Sequence, residues 1–275
     1  MVMDNEKIRE KPSVKIGDHE IGAKKFTLIA GPCAVESEQQ ILLIAEKLKE
    51  LGGDVLRGGT YKARTSPYSF QGLNLEGLKL LHMAGATVGL PTITEVIDEK
   101  SLYEAINYVD AVQIGTRNMY NYSLLRKIGR LQIPVLLKRG LSATIEEWLH
   151  AAEYILEGGN KNVILCERGI RTFETATRNT LDISAVLVLK QSCSLPIIID
   201  PSHACGVSNY VVPLSRAAYA VGSNGIMVEV HPFPEQALSD GPQSINIHTL
   251  SRLCSELSQM ESVINDFVDC DFTNS

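Results

Sequence analysis

FTLIAGPCAVES, residues 26–37, is a short apolar run that stops in Gly31, Cys33, Glu36 and Ser37. The same pattern returns in DVLRGGTYKARTSP (54–67), ATVGLPTITEV (86–96), DAVQIGTRN (110–118) and PVLLKRG (134–140). It continues in NVILCERG (162–169), PIIIDPSHA (196–204) and GIMVEVHP (225–232). Each run is rich in Val, Ile and Leu and ends in polar, ionisable or Gly residues, with helical stretches between. Strands that read as continuous apolar runs belong to a parallel sheet buried on both faces. Eight strand–helix alternations predict an α/β fold, a single (β/α)8 TIM barrel. In such barrels the active site lies at the C-terminal ends of the strands.

Residues 38–51 place Ile41, Leu42, Ile44, Ala45 and Leu48 on one helical face, with Gly52-Gly53 as the stop. Residues 144–157 open on Thr144 with Glu147 three residues on, a capping-box pattern, and close on Gly158-Gly159. Residues 212–221 and 246–268 read as the last two helices. Two strand-like pieces around Gly17-Asp18, within residues 13–25, predict a short N-terminal hairpin closing the bottom of the barrel. The expected organisation is an extension and hairpin over 1–25, a catalytic barrel over 26–268, and frayed ends at 1–12 and 269–275.

The chain has 275 residues, 44% of them hydrophobic and 21% charged, the balance of an ordinary globular protein. No apolar run approaches the roughly 20 residues that cross a membrane. The first residues, MVMDNEKIREKPSVK, lack the apolar core of a signal peptide. Cys33, Cys166, Cys193, Cys205, Cys254 and Cys270 form no CxxC pair, as expected of reduced thiols in a cytoplasmic protein. A net charge of −6 argues against a nucleic-acid surface. It also makes any cluster of cations conspicuous.

Such a cluster exists at the strand ends: Arg57, Lys62, Arg64, Arg117, Lys138, Arg139 and Arg168. Closing the barrel brings these residues to one mouth. Like charges a few ångströms apart repel by roughly 4 kcal/mol per close pair at an effective dielectric near 20, so the cluster calls for an anion. Arg is suited to carboxylate and phosphate. The competing reading pairs each cation with a nearby acid, Glu167 with Arg168 or Asp54 with Arg57. For any one residue both readings stay open, and the whole set favours a small polyanion. On the same rim stand Cys33, His203, Glu229 and Asp240. One sulfur, one nitrogen and two carboxylates suit a borderline divalent ion such as Mn2+, Fe2+, Co2+ or Zn2+. A lone Cys or His at a strand end is otherwise a small core or hydrogen-bonded residue. Only barrel closure, which sets the first strand beside the last two, favours the metal reading.

GPCAVES, LRGGTYKARTSPYSFQG, TEV, QIGTRN, PVLLKRG, CERGIRTFETATRNTLD, DPSHA, MVEVHP and SDGPQS, in this order, carry a resemblance that extends from about residue 26 to residue 245. The chain resembles the short, metal-dependent type I 3-deoxy-D-arabino-heptulosonate 7-phosphate (DAHP) synthases, whose sister enzymes make 3-deoxy-D-manno-octulosonate 8-phosphate. The resemblance implies condensation of phosphoenolpyruvate with erythrose 4-phosphate, the first step of the shikimate pathway. It also implies that Arg117, Lys138 and Arg168 hold the phosphoenolpyruvate phosphate, while Arg57 and Lys62 engage its carboxylate and neighbouring oxygens. Arg64, Thr65 and Ser66 would hold the aldose phosphate, with Asp200 near a sugar hydroxyl. Cys33, His203, Glu229 and Asp240 would bind one divalent metal ion. Lys62, Cys33 and His203 are the expected catalytic residues. Lys62 would deliver a proton from a pKa lowered by neighbouring cations.

The resemblance implies small phosphorylated substrates, no nucleic acid or membrane partner, and a homodimer or homotetramer. Members are often fused to a ferredoxin-like or a chorismate mutase domain. The residues flanking the barrel accommodate neither, so insensitivity to Phe, Tyr and Trp is expected. The chain departs from the family pattern at Ala63 (a Pro in Lys-Pro-Arg-Thr-Ser), Thr116, Leu187 and Ser223-Asn224. Ala63 leans towards the octulosonate enzymes, which carry Lys-Ala-Asn-Arg-Ser. The one-residue spacing from Lys62 to Arg64 leans away from them. The alternatives are that synthase, acting on arabinose 5-phosphate, and a lapsed barrel that binds phosphorylated metabolites.

Overall fold

The computed structural model describes residues 13–23, 25–62 and 68–264. Strands β1 (Val14–Ile16) and β2 (His19–Ile21) form an antiparallel hairpin in which Val14 faces Ile21. Eight strands follow: β3 (Thr27–Gly31), β4 (Val55–Arg57), β5 (Thr92–Val96), β6 (Ala111–Ile114), β7 (Val135–Lys138), β8 (Val163–Glu167), β9 (Ile197–Ile199) and β10 (Gly225–Glu229). They close in sequence order, β10 pairing with both β9 and β3, and every pairing is parallel. Between them run α1 (Glu38–Glu50), α2 (Asn74–Val88), α3 (Glu99–Ala105), α4 (Tyr122–Gly129), α5 (Ile145–Glu157) and α6 (Ala185–Ser192). The short α7 (Pro201–Cys205) and then α8 (Ser208–Ala220) precede β10, and α9 (Ile247–Ile264) follows it. The expected barrel and hairpin are both present.

Local chemistry sets the helix ends. The Ser37 side chain accepts from Gln40 N–H to start α1, and Thr144 and Glu147 make the reciprocal capping box of α5. One expected boundary is corrected: α8 begins at Ser208, not 212, with Pro213 inside it. Pro reads as a helix start because it lacks an N–H, but packing of Val211 and Val212 extends the helix upstream. The expected continuation of α9 to 268 and the frayed ends at 1–12 and 269–275 lie outside the described residues.

Two apolar cores result. The larger lies between strands and helices. The smaller fills the barrel, where Ile29, Val55, Ile93, Ala111, Leu136, Ile164, Ile198 and Met227 meet Val14, Ile16 and Ile21 of the hairpin. An isolated two-stranded hairpin is marginal in water. Burying a Val or Ile side chain contributes roughly 1.5–3 kcal/mol, so the hairpin is held by plugging the barrel floor. Among the described residues no helix is long and apolar enough to cross a membrane.

Candidate active site

Side chains alternate along a strand, so the residue two positions beyond each floor residue also points inward, nearer the mouth. That rule turns Val55 into Arg57, Ile93 into Glu95, Ala111 into Gln113, Leu136 into Lys138, Ile198 into Asp200 and Met227 into Glu229. The mouth is therefore lined by ionisable and amide groups, most of them buried.

Most of these groups are linked by hydrogen bonds and ion pairs, while Glu95 pairs with Gln113. Arg57 Nη1 donates to Glu229 Oε1 at 2.7 Å. Lys138 Nζ lies 2.6 Å from Asp200 Oδ2, which also sits 2.7 Å from His203 Nδ1. Asp200 caps α7 by accepting His203 N–H at 2.9 Å, and the other ring nitrogen, Nε2, lies 3.4 Å from Glu229 Oε1. Lys62 Nζ donates to the Cys33 carbonyl at 2.8 Å and lies 3.0 Å from Cys33 Sγ, which is itself 3.1 Å from Asp240 Oδ2. Gly59 makes that approach possible, because a Cβ there would lie 2.2 Å from the Cys33 carbonyl oxygen. Gln243 Nε2 donates to Glu229 Oε2 at 2.6 Å, and Arg178 Nη1 reaches Gln243 Oε1 at 2.5 Å and Asp240 Oδ1 at 3.4 Å.

The ion pairs offered by the competing reading do not form, and others take their place. Arg57 pairs with Glu229, while Asp54 is taken by Lys25 at 2.6 Å. Glu167 does not pair with its neighbour Arg168 but with Arg139, at 2.9 Å, which also holds Asp182 at 2.8 Å. Arg57, Lys138 and Arg139 are thus compensated by protein acids. Arg168 is buried, yet no carboxylate lies within ion-pair distance of it among the described residues. Burial lowers its pKa, and the nearby Arg178 acts in the same sense against Asp200. A buried guanidinium with this environment is a place for an anion. Arg117 stands exposed on the turn after β6, on the same rim.

The lowered pKa expected for Lys62 is also corrected. Burial disfavours its ammonium, but Cys33, Glu95 and Glu229 outweigh burial and raise the pKa. Lys62 therefore carries its proton at neutral pH. Burial, with Glu229 and Asp240 adding to it, pushes the Cys33 thiol up to about 12. Burial lowers the His203 pKa against Asp200 and Glu229, leaving the imidazole neutral. Burial opposes ionisation of Glu229, yet His203, Arg57 and Lys62 hold its carboxyl well below the usual range.

The residues present fit a divalent cation. Cys33, Glu229 and Asp240 offer ligand atoms within 4.8 Å of one another, and the His203 ring nitrogen borders Glu229. Asp200 engages the far ring nitrogen of His203, the second-sphere arrangement that orients a metal-binding imidazole. Asp200 is fully buried in that role. The aldose-phosphate residues Arg64, Thr65 and Ser66, together with Ala63, lie outside the described residues. Of the other departures from the family pattern, Thr116 opens the turn that carries Arg117 and Leu187 is exposed on α6. Asn224 Oδ1 accepts Ile197 N–H at 2.8 Å, at the start of β9.

Glu95, Gln113, Arg178 and Gln243 also belong to the site, though the sequence does not mark them as ligands. The two-residue step from Ile93 and Ala111 was the signal for the first pair. Arg178 and Gln243 sit on long loops where no period points to them.

A family model for the DAHP synthetase I family matches residues 4–266. A phospho-2-dehydro-3-deoxyheptonate aldolase of Thermotoga maritima is 52% identical over 93% of this chain and 75% of its own length. A 2-dehydro-3-deoxyphosphooctonate aldolase of Nitrosococcus oceani is 32% identical, covering 89% of this chain and 93% of the relative. The crystal structure of the Thermotoga maritima enzyme superposes with a TM-score of 0.92 at 49% identity, over 96% of this chain and 77% of that one. A truncated form of that organism's 3-deoxy-D-arabino-heptulosonate 7-phosphate synthase gives 0.87 at 48% identity, over 93% and 94%. A barrel whose mouth holds this set of residues, and whose sequence matches along nearly its whole length, belongs to the DAHP synthetase I family.

Proposed function

We propose that this protein is a transferase that condenses phosphoenolpyruvate with erythrose 4-phosphate to DAHP and inorganic phosphate. It would thereby open the shikimate route to aromatic amino acids. The observation that carries this reading is Arg168, a buried guanidinium with no carboxylate in ion-pair distance among the described residues, beside a thiol–imidazole–carboxylate set. Arg168, Lys138 and Arg117 receive the phosphoenolpyruvate phosphate, and Arg57 and Lys62 its carboxylate side. Arg64, Thr65 and Ser66 hold the aldose phosphate, and Asp200 orients His203 beside a sugar hydroxyl. Cys33, His203, Glu229 and Asp240 would hold one Mn2+, Fe2+, Co2+ or Zn2+, which supplies Lewis-acid polarisation of the aldehyde oxygen when bound.

The chain's own groups do the rest. Arg57 fixes phosphoenolpyruvate so that its C3 faces the aldehyde carbon, and a new C–C bond forms between them. Water then adds at C2, and cleavage of the C2–O bond releases phosphate against Arg168 and Lys138. Lys62, held as an ammonium, is the proton donor at Nζ. Small phosphorylated substrates, a cytoplasmic setting and a homodimer or homotetramer belong to the same reading.

Purified protein supplied with phosphoenolpyruvate, erythrose 4-phosphate and Mn2+ should release phosphate and form DAHP. The single residue between Lys62 and Arg64 gives the phosphate site a shorter reach than two would. We expect kcat/KM for erythrose 4-phosphate to exceed that for arabinose 5-phosphate by at least about tenfold, or 1.4 kcal/mol. Equal or better turnover of arabinose 5-phosphate would overturn this assignment.

A further inference from the structure

Glu36 is a largely buried carboxylate that the reaction above does not use, and it pairs with no Lys or Arg among the described residues. The far end of the chain takes both of its oxygens. Oε2 lies 3.3 Å from His231 Nε2, and Oε1 accepts the Leu238 backbone N–H at 2.9 Å. His231 Nδ1 accepts the Phe233 N–H at 3.1 Å, which turns Nε2 towards Glu36. Each partner therefore has one role, and the three contacts are mutually consistent.

Their place in the chain gives them a consequence. Glu36 follows Cys33 by three residues, and Leu238 precedes Asp240 by two. The loops that carry them leave the paired strands β3 and β10. Cys33 Sγ and Asp240 Oδ2 stand 3.1 Å apart across these loops. Asp240 has φ 51° and ψ 31°, a left-handed conformation that a non-glycine residue holds only where its surroundings enforce it. Backbone pairing fixes the base of the β10–α9 loop at Val230 and Ile245. Glu36 fixes its far limb.

We propose that Glu36 and His231 are positioning residues that clasp the two loops and set the Cys33–Asp240 separation for a divalent cation. The inference rests on the metal reading given above. The α1 cap is separate, because Ser37 supplies the side chain there and Glu36 contributes only its backbone N–H, bonded to Gln40 Oε1 at 2.9 Å. Truncating the Glu36 side chain therefore leaves the helix start intact.

The test is Co2+ binding by the whole chain, read by equilibrium dialysis and by the thiolate-to-cobalt charge-transfer absorption. The native protein should show that absorption and Cys33→Ser should lose it. Glu36→Ala and His231→Ala should each weaken Co2+ binding by about tenfold or more, the usual cost of removing an outer partner. The double variant should be no weaker than the worse single variant by more than about twofold, because the two act as one unit. Glu36→Gln should fall between, since its amide, however turned, sets a donor against Leu238 N–H or His231 Nε2–H. If Cys33→Ser leaves Co2+ binding and absorption unchanged, the metal reading falls and the clasp with it. If the native protein binds through Cys33 but Glu36→Ala and His231→Ala keep its affinity, only the clasp is overturned, whatever their thermal stability.

Discussion

The two ends of this barrel are made by the same strands, and two residues separate their chemistry. At the floor, Val55, Ile93, Leu136, Ile198 and Met227 close on the apolar hairpin. At the mouth, roughly 6.6 Å further along each strand, stand Arg57, Glu95, Lys138, Asp200 and Glu229. The floor contributes burial without electrostatic cost. The mouth must offset the desolvation of its charges, and it does so pairwise through Arg57–Glu229 and Lys138–Asp200. Stability and function are thus separable by position along one strand.

The largest effect is expected at Lys62. Lys62→Met removes the proton donor against Cys33 and should lower kcat by roughly 10²–10⁴-fold, measured as DAHP formation at saturating substrates. A variant that retains native kcat would remove Lys62 from the chemistry. At the floor, Ile93→Ala should cost about 2–5 kcal/mol in unfolding free energy. Its kcat should be native wherever the protein remains folded. A floor substitution that lost activity without losing stability would show that the two ends are coupled after all.

Gly115→Ala sharpens the boundary between them. A Cβ at 115 would lie 2.0 Å from Glu95 Oε1, so Glu95 must shift from its 3.0 Å contact with Gln113 Nε2. Glu95 helps to hold the Lys62 charge. We expect a loss of about tenfold to a hundredfold in kcat/KM, the scale of an ångström-sized displacement. Unchanged kinetics would mean that Glu95 can move freely.

Most of the site residues are legible because they end an apolar run or lie in the loop just after it, and the barrel gathers run ends. Their partners were not legible, for a geometric reason. Glu167 and Arg168 are neighbours, so their side chains leave opposite faces of the chain. Glu167 turns to Arg139, which also holds Asp182, and Arg168 has no carboxylate within ion-pair distance among the described residues. Asp54 precedes β4 and meets Lys25 and His19, whereas Arg57 ends β4 and meets Glu229. Proximity in sequence placed each acid beside the wrong cation. The sign of the Lys62 shift is hidden for the same reason, because Cys33, Glu95 and Glu229 reach it from segments remote in sequence.

The smallest effect concerns His19, an imidazole that helps hold the floor. His19 Nε2 lies 2.9 Å from Thr27 Oγ1 and Nδ1 lies 3.4 Å from Asp54 Oδ1. Burial lowers the His19 pKa, Asp54 opposing and Lys25 adding to the lowering. The folded state therefore binds fewer protons than the unfolded chain as pH falls through the ordinary His value near 6.5. The contribution of His19 to stability is complete above that pH and declines below it, as the pH approaches the lowered folded-state value. His19→Gln should flatten this part of the pH–stability curve in chemical denaturation, leaving DAHP formation at neutral pH unchanged. A curve of native slope in the variant would mean that His19 binds its proton equally in both states and that the floor is indifferent to pH.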